Sequence, residues 1–188
     1  MKKLSLIATL LLAVLLLQKC TKDTISESAT SSTLLFAVIN DTTWNADTIH
    51  ASVTYTAATN SKVFSCNAIG DNKGLTWAVT QSNSTNTSGF PISVNYNADA
   101  AGLNTFVFNT TQRNSLGNLA LAPLGTVKPG SGTLVISAID SVKKTVTGTF
   151  SFTAILNNYD NNGNIISTTV SQISAGAFNN LPYTFSSN

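Results

Sequence analysis

Few residues in this chain have the chemistry to do catalysis or bind a metal. Of 188 residues, one is a histidine (His50), two are cysteines (Cys20 and Cys66) and one is a glutamate (Glu27). Beyond residue 33 the only carboxylates are Asp41, Asp47, Asp71, Asp99, Asp140 and Asp160. A zinc centre built from imidazoles and thiolates needs more ligands than this inventory offers, so no metal site is expected. A glycosidase needs two carboxylates flanking one bond. Here Asp41, Asp71, Asp140 and Asp160 each stand beside Gly, Asn or Ser, where Asp is ordinary turn chemistry. A Ser-His-Asp triad would have to use His50, which alternates onto the hydroxylic side of its segment with Ser52. No G-x-S-x-G elbow accompanies it, so a strand histidine in a polar setting is the simpler reading. The expectation is a protein without catalysis and without a cofactor.

Other motifs reduce to structure in the same way. Gly125 to Gly132 has the outer spacing of a phosphate loop, but lacks the lysine after its second glycine and a helix behind it. Asp160 to Asn164 lacks the alternating acidic ligands and closing glutamate of a calcium loop, and its Asn162-Gly163 is a hairpin signal. Cys66 alternates with Phe64 and Ala68, which predicts a buried thiol acting as a small hydrophobe.

Two features suggest binding or modification. Trp44 and Tyr96 are polar-tipped aromatics that could form a sugar-stacking platform, while core packing is the favoured reading for Trp44, as it is for Trp77 between Leu75 and Val79. The triplets Asp23-Thr24-Ile25, Asp41-Thr42-Thr43, Asp47-Thr48-Ile49 and Asp140-Ser141-Val142 repeat one pattern. It resembles the O-glycosylation site of exported Bacteroidota proteins, which makes Thr24, Thr42, Thr48 and Ser141 candidate acceptors. Ordinary Asp-Thr and Asp-Ser turn starts are the alternative.

The N-terminus reads as an address. Met1-Lys2-Lys3 is followed by an uncharged run, Leu4 to Leu17. A helix of that length reaches about 21 Å, short of the ~30 Å hydrocarbon core, so a secretory signal peptide fits better than a spanning helix. Leu17-Gln18-Lys19-Cys20 resembles a bacterial lipoprotein signal, with residues 1–19 removed and Cys20 the lipidated first residue. Lys19 departs from the small residue usual before that cysteine. Residues 20–33 then read as the anchor and a flexible tether, and 34–188 as a single domain. This implies an exported chain, anchored by lipid to the outer membrane and facing the periplasm or the surface.

Composition bounds the rest. Asn, Ser and Thr number 21, 22 and 27, while charged residues are only 10% against 43% hydrophobic. Such a mixture suits strands with an apolar and a hydroxylic face, and argues against helical bundles and disordered acidic chains. Net charge is +2, but removing Lys2, Lys3 and Lys19 leaves 7 basic against 8 acidic residues, or −1. No electrostatic footprint for nucleic acid remains. The partners expected are the membrane, through Cys20, and a glycan or an envelope protein.

Period-two alternation predicts strands at 34–40, 48–56, 62–69, 75–81, 92–96, 104–110, 133–140, 145–156 and 165–173. Segments 82–102 and 112–131 read as loops or edge elements. About nine or ten short strands with tight turns predict an all-β, antiparallel β-sandwich, with a lipocalin-like barrel around an apolar ligand as the alternative.

Phe36-Ala37-Val38-Ile39-Asn40 with Trp44, Gly132-Thr133-Leu134-Val135-Ile136, Val146-Thr147-Gly148-Thr149-Phe150-Ser151-Phe152, and Gly176-Ala177-Phe178 with Leu181-Pro182-Tyr183 occur in a recognisable order. They resemble small Bacteroidota lipoproteins carrying a β-rich domain of unknown function. The resemblance implies location and fold and brings no catalytic residues. Asp41 stands where that family has a turn glycine, which predicts a different first turn. The function expected is that of a non-catalytic cell-envelope lipoprotein with a binding or structural role. A carbohydrate-binding accessory and a barrel carrying a small apolar ligand are the alternatives.

Overall fold

A computed structural model describes residues 33–188. The signal segment 1–19, Cys20, Thr24 and nearly all of the tether lie outside the described residues. The chain runs through β1 (Leu35–Ile39), β2 (Thr42–Asn45), β3 (Thr48–Thr56), β4 (Ser61–Gly70), β5 (Lys73–Gln81) and β6 (Asn95–Asn97). It continues through β7 (Thr105–Arg113), β8 (Leu119–Pro123), β9 (Thr126–Asp140), β10 (Thr145–Tyr159), β11 (Ile165–Pro182) and β12 (Thr184–Ser187). One short 3₁₀ turn, Ala57–Thr59, joins β3 to β4.

These strands form two six-stranded sheets, ordered β2-β1-β11-β10-β9-β6 and β12-β3-β4-β5-β7-β8. Every pairing is antiparallel except β12 with β3, which is parallel. Both sheets keep open edges, so the fold is a β-sandwich and the lipocalin-like barrel is excluded. There are twelve strands where nine or ten were expected, because β2, β8 and β12 were not legible as strands. Each is only four or five residues long, and β2 and β12 are mostly polar, too short for alternation to register.

Alternation explains the core. In β10 the side chains of Val146, Phe150, Phe152 and Ala154 turn inward, while Thr145, Thr147, Thr149, Ser151 and Thr153 face outward. Trp77, Phe64 and Phe178 are the largest fully buried side chains. Trp77 meets Phe150 at 4.6 Å and Phe178 at 5.9 Å between ring centroids, which joins the two sheets through aromatic contacts. The rings have room because glycines face them across the strands: Gly148 is opposite Phe178, and Gly176 opposite Phe150. A Cβ on Gly148 would strike the Phe178 ring and the Val135 carbonyl, and one on Gly176 would strike Phe150.

The tight turns carry Asn and Asp. Asn40 and Asp41 have φ of 47° and 63°, and Asp71 and Asn72 have 44° and 58°. Two left-handed central residues match the right-handed twist of the flanking strands. Asp41 therefore enters the left-handed region itself, and the first hairpin keeps a two-residue loop without glycine.

Candidate functional site

A surface depression lies on the outer face of the second sheet, where β12 leaves part of β3 uncovered. β12 begins opposite Ser52, so Thr48–Ala51 extend past its start. The connection through Pro182 and Tyr183 then flanks a groove of about 540 Å³. Alternation sends His50 and Ser52 of β3, Ser65 and Asn67 of β4, and Thr76 of β5 outward into it. Register aligns them in rows, with His50 opposite Asn67, Asn67 opposite Thr76, and Ser52 opposite Ser65. The Thr76 hydroxyl donates to Asn67 Oδ1 at 3.1 Å, and the Ser52 and Ser65 hydroxyls share a hydrogen bond of 2.8 Å.

This is a neutral, hydrogen-bonding surface with one imidazole. Among the described residues the His50 ring makes no hydrogen bond to a serine or an aspartate, so the geometry of a Ser-His-Asp triad is not formed here. Tyr183 borders the groove, but its hydroxyl is donated to the Ser88 carbonyl at 2.7 Å. What the groove offers chemically is a set of hydroxyl, amide and imidazole groups interspersed with apolar surface from Ile49, Ala51 and Pro182.

The two aromatics read as a stacking platform are not on the surface. Trp44 and Tyr96 are each only 3% exposed. Trp44 closes one end of the core, and its Nε1 donates to the Gly70 carbonyl at 2.7 Å, tying β2 of the first sheet to the β4–β5 turn of the second. Gly70 has to be glycine there, since a Cβ would strike the Asn45 carbonyl. Tyr96 packs against Phe90 at 5.5 Å, and its hydroxyl donates to Gln81 Oε1 at 3.2 Å. Burial pushes its pKa up to about 12. In both cases the polar tip found a protein acceptor, which let the ring leave water. Sequence carries no signal for that choice, because both acceptors lie on other strands.

The remaining candidates fall as follows. Cys66 is 2% exposed, and burial pushes its thiol up to about 12, well away from a reactive thiolate. The Asp160 carboxylate accepts from the backbone N–H groups of Asn162 and Asn164 and from the Asn164 side chain, so it serves its own turn. Among the described residues, no three His, Cys, Asp or Glu side chains are placed to share a metal ion. Also among them, no helix is long and apolar enough to cross a membrane. Thr42, Thr48 and Ser141 are exposed at turns or strand starts. They are scattered rather than gathered into one site.

Sequence reasoning missed one buried charge. Lys62 lies on the inward face of β4 with Phe64 and is 4% exposed. Its Nζ donates to Thr87 Oγ1 at 2.8 Å and to the Gly89 carbonyl at 2.7 Å, pinning the 82–90 segment, and burial lowers its pKa. The signal was present in the alternation, since Lys62, Phe64, Cys66 and Ala68 share one parity. Compared with models of known protein families, with curated proteins and with solved structures, the chain finds no match in any of the three.

Proposed function

We propose that this chain is a non-catalytic cell-envelope lipoprotein. It is exported, anchored through lipid on Cys20 to the outer membrane, and carries a β-sandwich with a binding or structural role facing the periplasm or the surface. The observation that carries the binding role is the chemistry of the second sheet's outer face, where neutral hydroxyl and amide rows border the groove beside His50. The resemblance to small Bacteroidota lipoproteins supports the same location. Radiolabelled palmitate fed to cells producing the full chain tests the anchor. Label is expected in the parent chain and absent from Cys20→Ser, and an unlabelled parent would remove the lipoprotein reading.

Within the binding role a glycan is the ligand class the groove suits best, because hydroxyl and amide groups exchange hydrogen bonds with sugar hydroxyls without ionic partners. This replaces the aromatic platform as the basis for a carbohydrate-binding reading. Calorimetric titration of the full chain with a panel of polysaccharides tests it. Heat that saturates and is lost in Asn67→Ala, with an unchanged melting temperature, supports the groove. Binding that survives this change places the glycan elsewhere.

Exposure of Thr42 and Thr48 at strand starts and of Ser141 in a turn, each directly after an aspartate, also supports O-glycosylation of the exported chain. Thr24 is the fourth acceptor proposed. Peptide masses of protein from its native cell should carry sugar on these hydroxyls, and bare peptides at all four would end the idea.

A further inference from the structure

Lys62 places a charge where alternation alone would take an apolar side chain. Its parity on β4 is that of Phe64, Cys66 and Ala68, all buried. An ammonium enclosed among neutral groups is costly unless an anion stands beside it. Among the described residues the ion pairs are Lys73 with Asp71 and Lys143 with Asp140, and neither involves Lys62. Thr87 Oγ1 and the Gly89 carbonyl accept two of its three protons. They bring no negative charge.

Lys62 also forms part of the wall of a hollow of about 360 Å³, between the paired Lys62 and Gln81 and the segment 82–91. This hollow shares no residue with the groove beside His50, and Lys62 is the one charged residue on its wall. Asn83, Thr85 and Thr87 line it and are exposed. Among the described residues the Asn83 amide and the Thr85 hydroxyl make no side-chain hydrogen bond. Thr87 Oγ1 accepts from Lys62 and so keeps its own proton to donate. Pro91 adds an apolar ring. The segment is held from several sides. Ser84 N–H donates to the Asn60 carbonyl at 2.7 Å, the Ser88 hydroxyl to the Ser141 carbonyl at 3.0 Å, and Phe90 packs on Phe64 and Tyr96. The hollow is therefore formed in advance, and a ligand entering it has little chain to order.

We infer that this hollow binds an acidic sugar, a hexuronate, with its carboxylate against the Lys62 ammonium. The third ammonium proton and the Thr87 hydroxyl supply charge-assisted hydrogen bonds to the carboxylate. Asn83 and Thr85 exchange hydrogen bonds with ring hydroxyls, and Pro91 meets a C–H face of the sugar. Each alternative leaves part of the wall unused. A neutral sugar leaves the buried charge uncompensated, and a bare anion leaves Asn83 and Thr85 without partners. The volume lies near the lower end of the range for small-molecule pockets, about 300–1,000 Å³, which suits a single sugar ring. The site depends neither on the groove beside His50 nor on the lipid anchor.

Calorimetric titration of the full chain at fixed ionic strength tests this, with sodium glucuronate, glucose, sodium acetate and sodium phosphate as probes. Glucuronate should give heat that saturates. Glucose should bind about tenfold more weakly or worse, the loss expected for one charge-assisted hydrogen bond. Acetate and phosphate should also be weaker, since they lack the ring hydroxyls. Lys62→Met should lose the glucuronate heat, but it also loosens the 82–91 segment. Asn83→Asp and Thr85→Val therefore carry the test in an intact fold. Asn83→Asp keeps the shape, and its φ of 53° suits aspartate as well as asparagine, while its charge repels a carboxylate. Both variants should weaken glucuronate several-fold without lowering the melting temperature. Asn67→Ala, in the groove, should leave glucuronate binding unchanged. The assignment is overturned if glucuronate gives no heat, if glucose binds as tightly, or if Lys62→Met or Asn83→Asp binds like the parent. It is equally overturned if Thr85→Val has no effect. Acetate or phosphate matching glucuronate would overturn the sugar and leave a site for any small anion. Loss of binding in Asn67→Ala would overturn the location and move the acid to the groove.

Discussion

Trp44 illustrates how an aromatic with a polar tip is assigned its place by a single acceptor. With Gly70 O at 2.7 Å its N–H leaves water at little cost, and the ring then adds its whole area to the core. Trp44→Ala should cost about 3–5 kcal/mol, the range for deleting a large buried aromatic. Urea unfolding followed by circular dichroism measures it, and a loss below about 1 kcal/mol would contradict the burial. The substitution is therefore a test of folding and is unsuited as a probe of ligand binding. Lys62 is the opposite case, a charge on an inward face held by neutral oxygens alone. Lys62→Met keeps the length and removes the donors, leaving the Gly89 carbonyl without its partner. The expected cost is about 1–3 kcal/mol. Hydrogen exchange should accelerate first in 82–90, and uniform acceleration across the sandwich would argue against a local pin.

At the scale of elements, strand pairing depends on the two glycine–phenylalanine pairs of β10 and β11. Gly148 and Gly176 each give a ring of the neighbouring strand the space that a side chain would occupy. Gly148→Ala adds one methyl between the Phe178 ring and the Val135 carbonyl, and should destabilise by about 1–3 kcal/mol through overpacking. A thermal melt reads this directly, and a stabilised variant would show that the rings yield freely. These elements differ in how legible they were. β3 was read at its observed ends, Thr48 and Thr56, because its alternation is strict. β11 was expected to stop at Ile173 but runs to Pro182, through shifts of register and a glycine that interrupt the period. β12 could not be anticipated, since its only ladder is a parallel one to a strand some 130 residues earlier.

For the whole molecule, burial couples stability to alkaline pH. Cys66 and Tyr96 have ordinary values of 9.0 and 10.0, and in the folded chain both rise to about 12. The folded state then holds protons that the unfolded state releases. Their contribution is fully present below about pH 9 and is lost as pH rises toward 12. Lys62 acts in the other direction, because its lowered value favours the folded state as pH increases toward 10.5. Burial also raises Tyr183, so with three raised groups against one lowered, urea midpoints should fall from pH 8 to pH 11. Tyr96→Phe should flatten part of that fall. An unchanged slope in Tyr96→Phe would mean that the hydroxyl is not desolvated.

The sequence by itself determined the class of fold, most strand positions, the identity of the tight turns and the burial of Cys66 and Trp77. Each of these depends on period-two alternation or on the φ preference of a few residues, which are local properties. Only the tertiary structure decided that Trp44 and Tyr96 are core, that Lys62 is enclosed, and that His50 stands in a groove with Ser52, Ser65, Asn67 and Thr76. It also decided that β1 ends at Ile39 and leaves the edge of β11 uncovered. Each of these outcomes depends on which strand lies beside which, and on whether a polar atom finds a partner there. Neighbours so distant along the chain are set by the packing of two sheets, and no window of sequence contains both members of the pair.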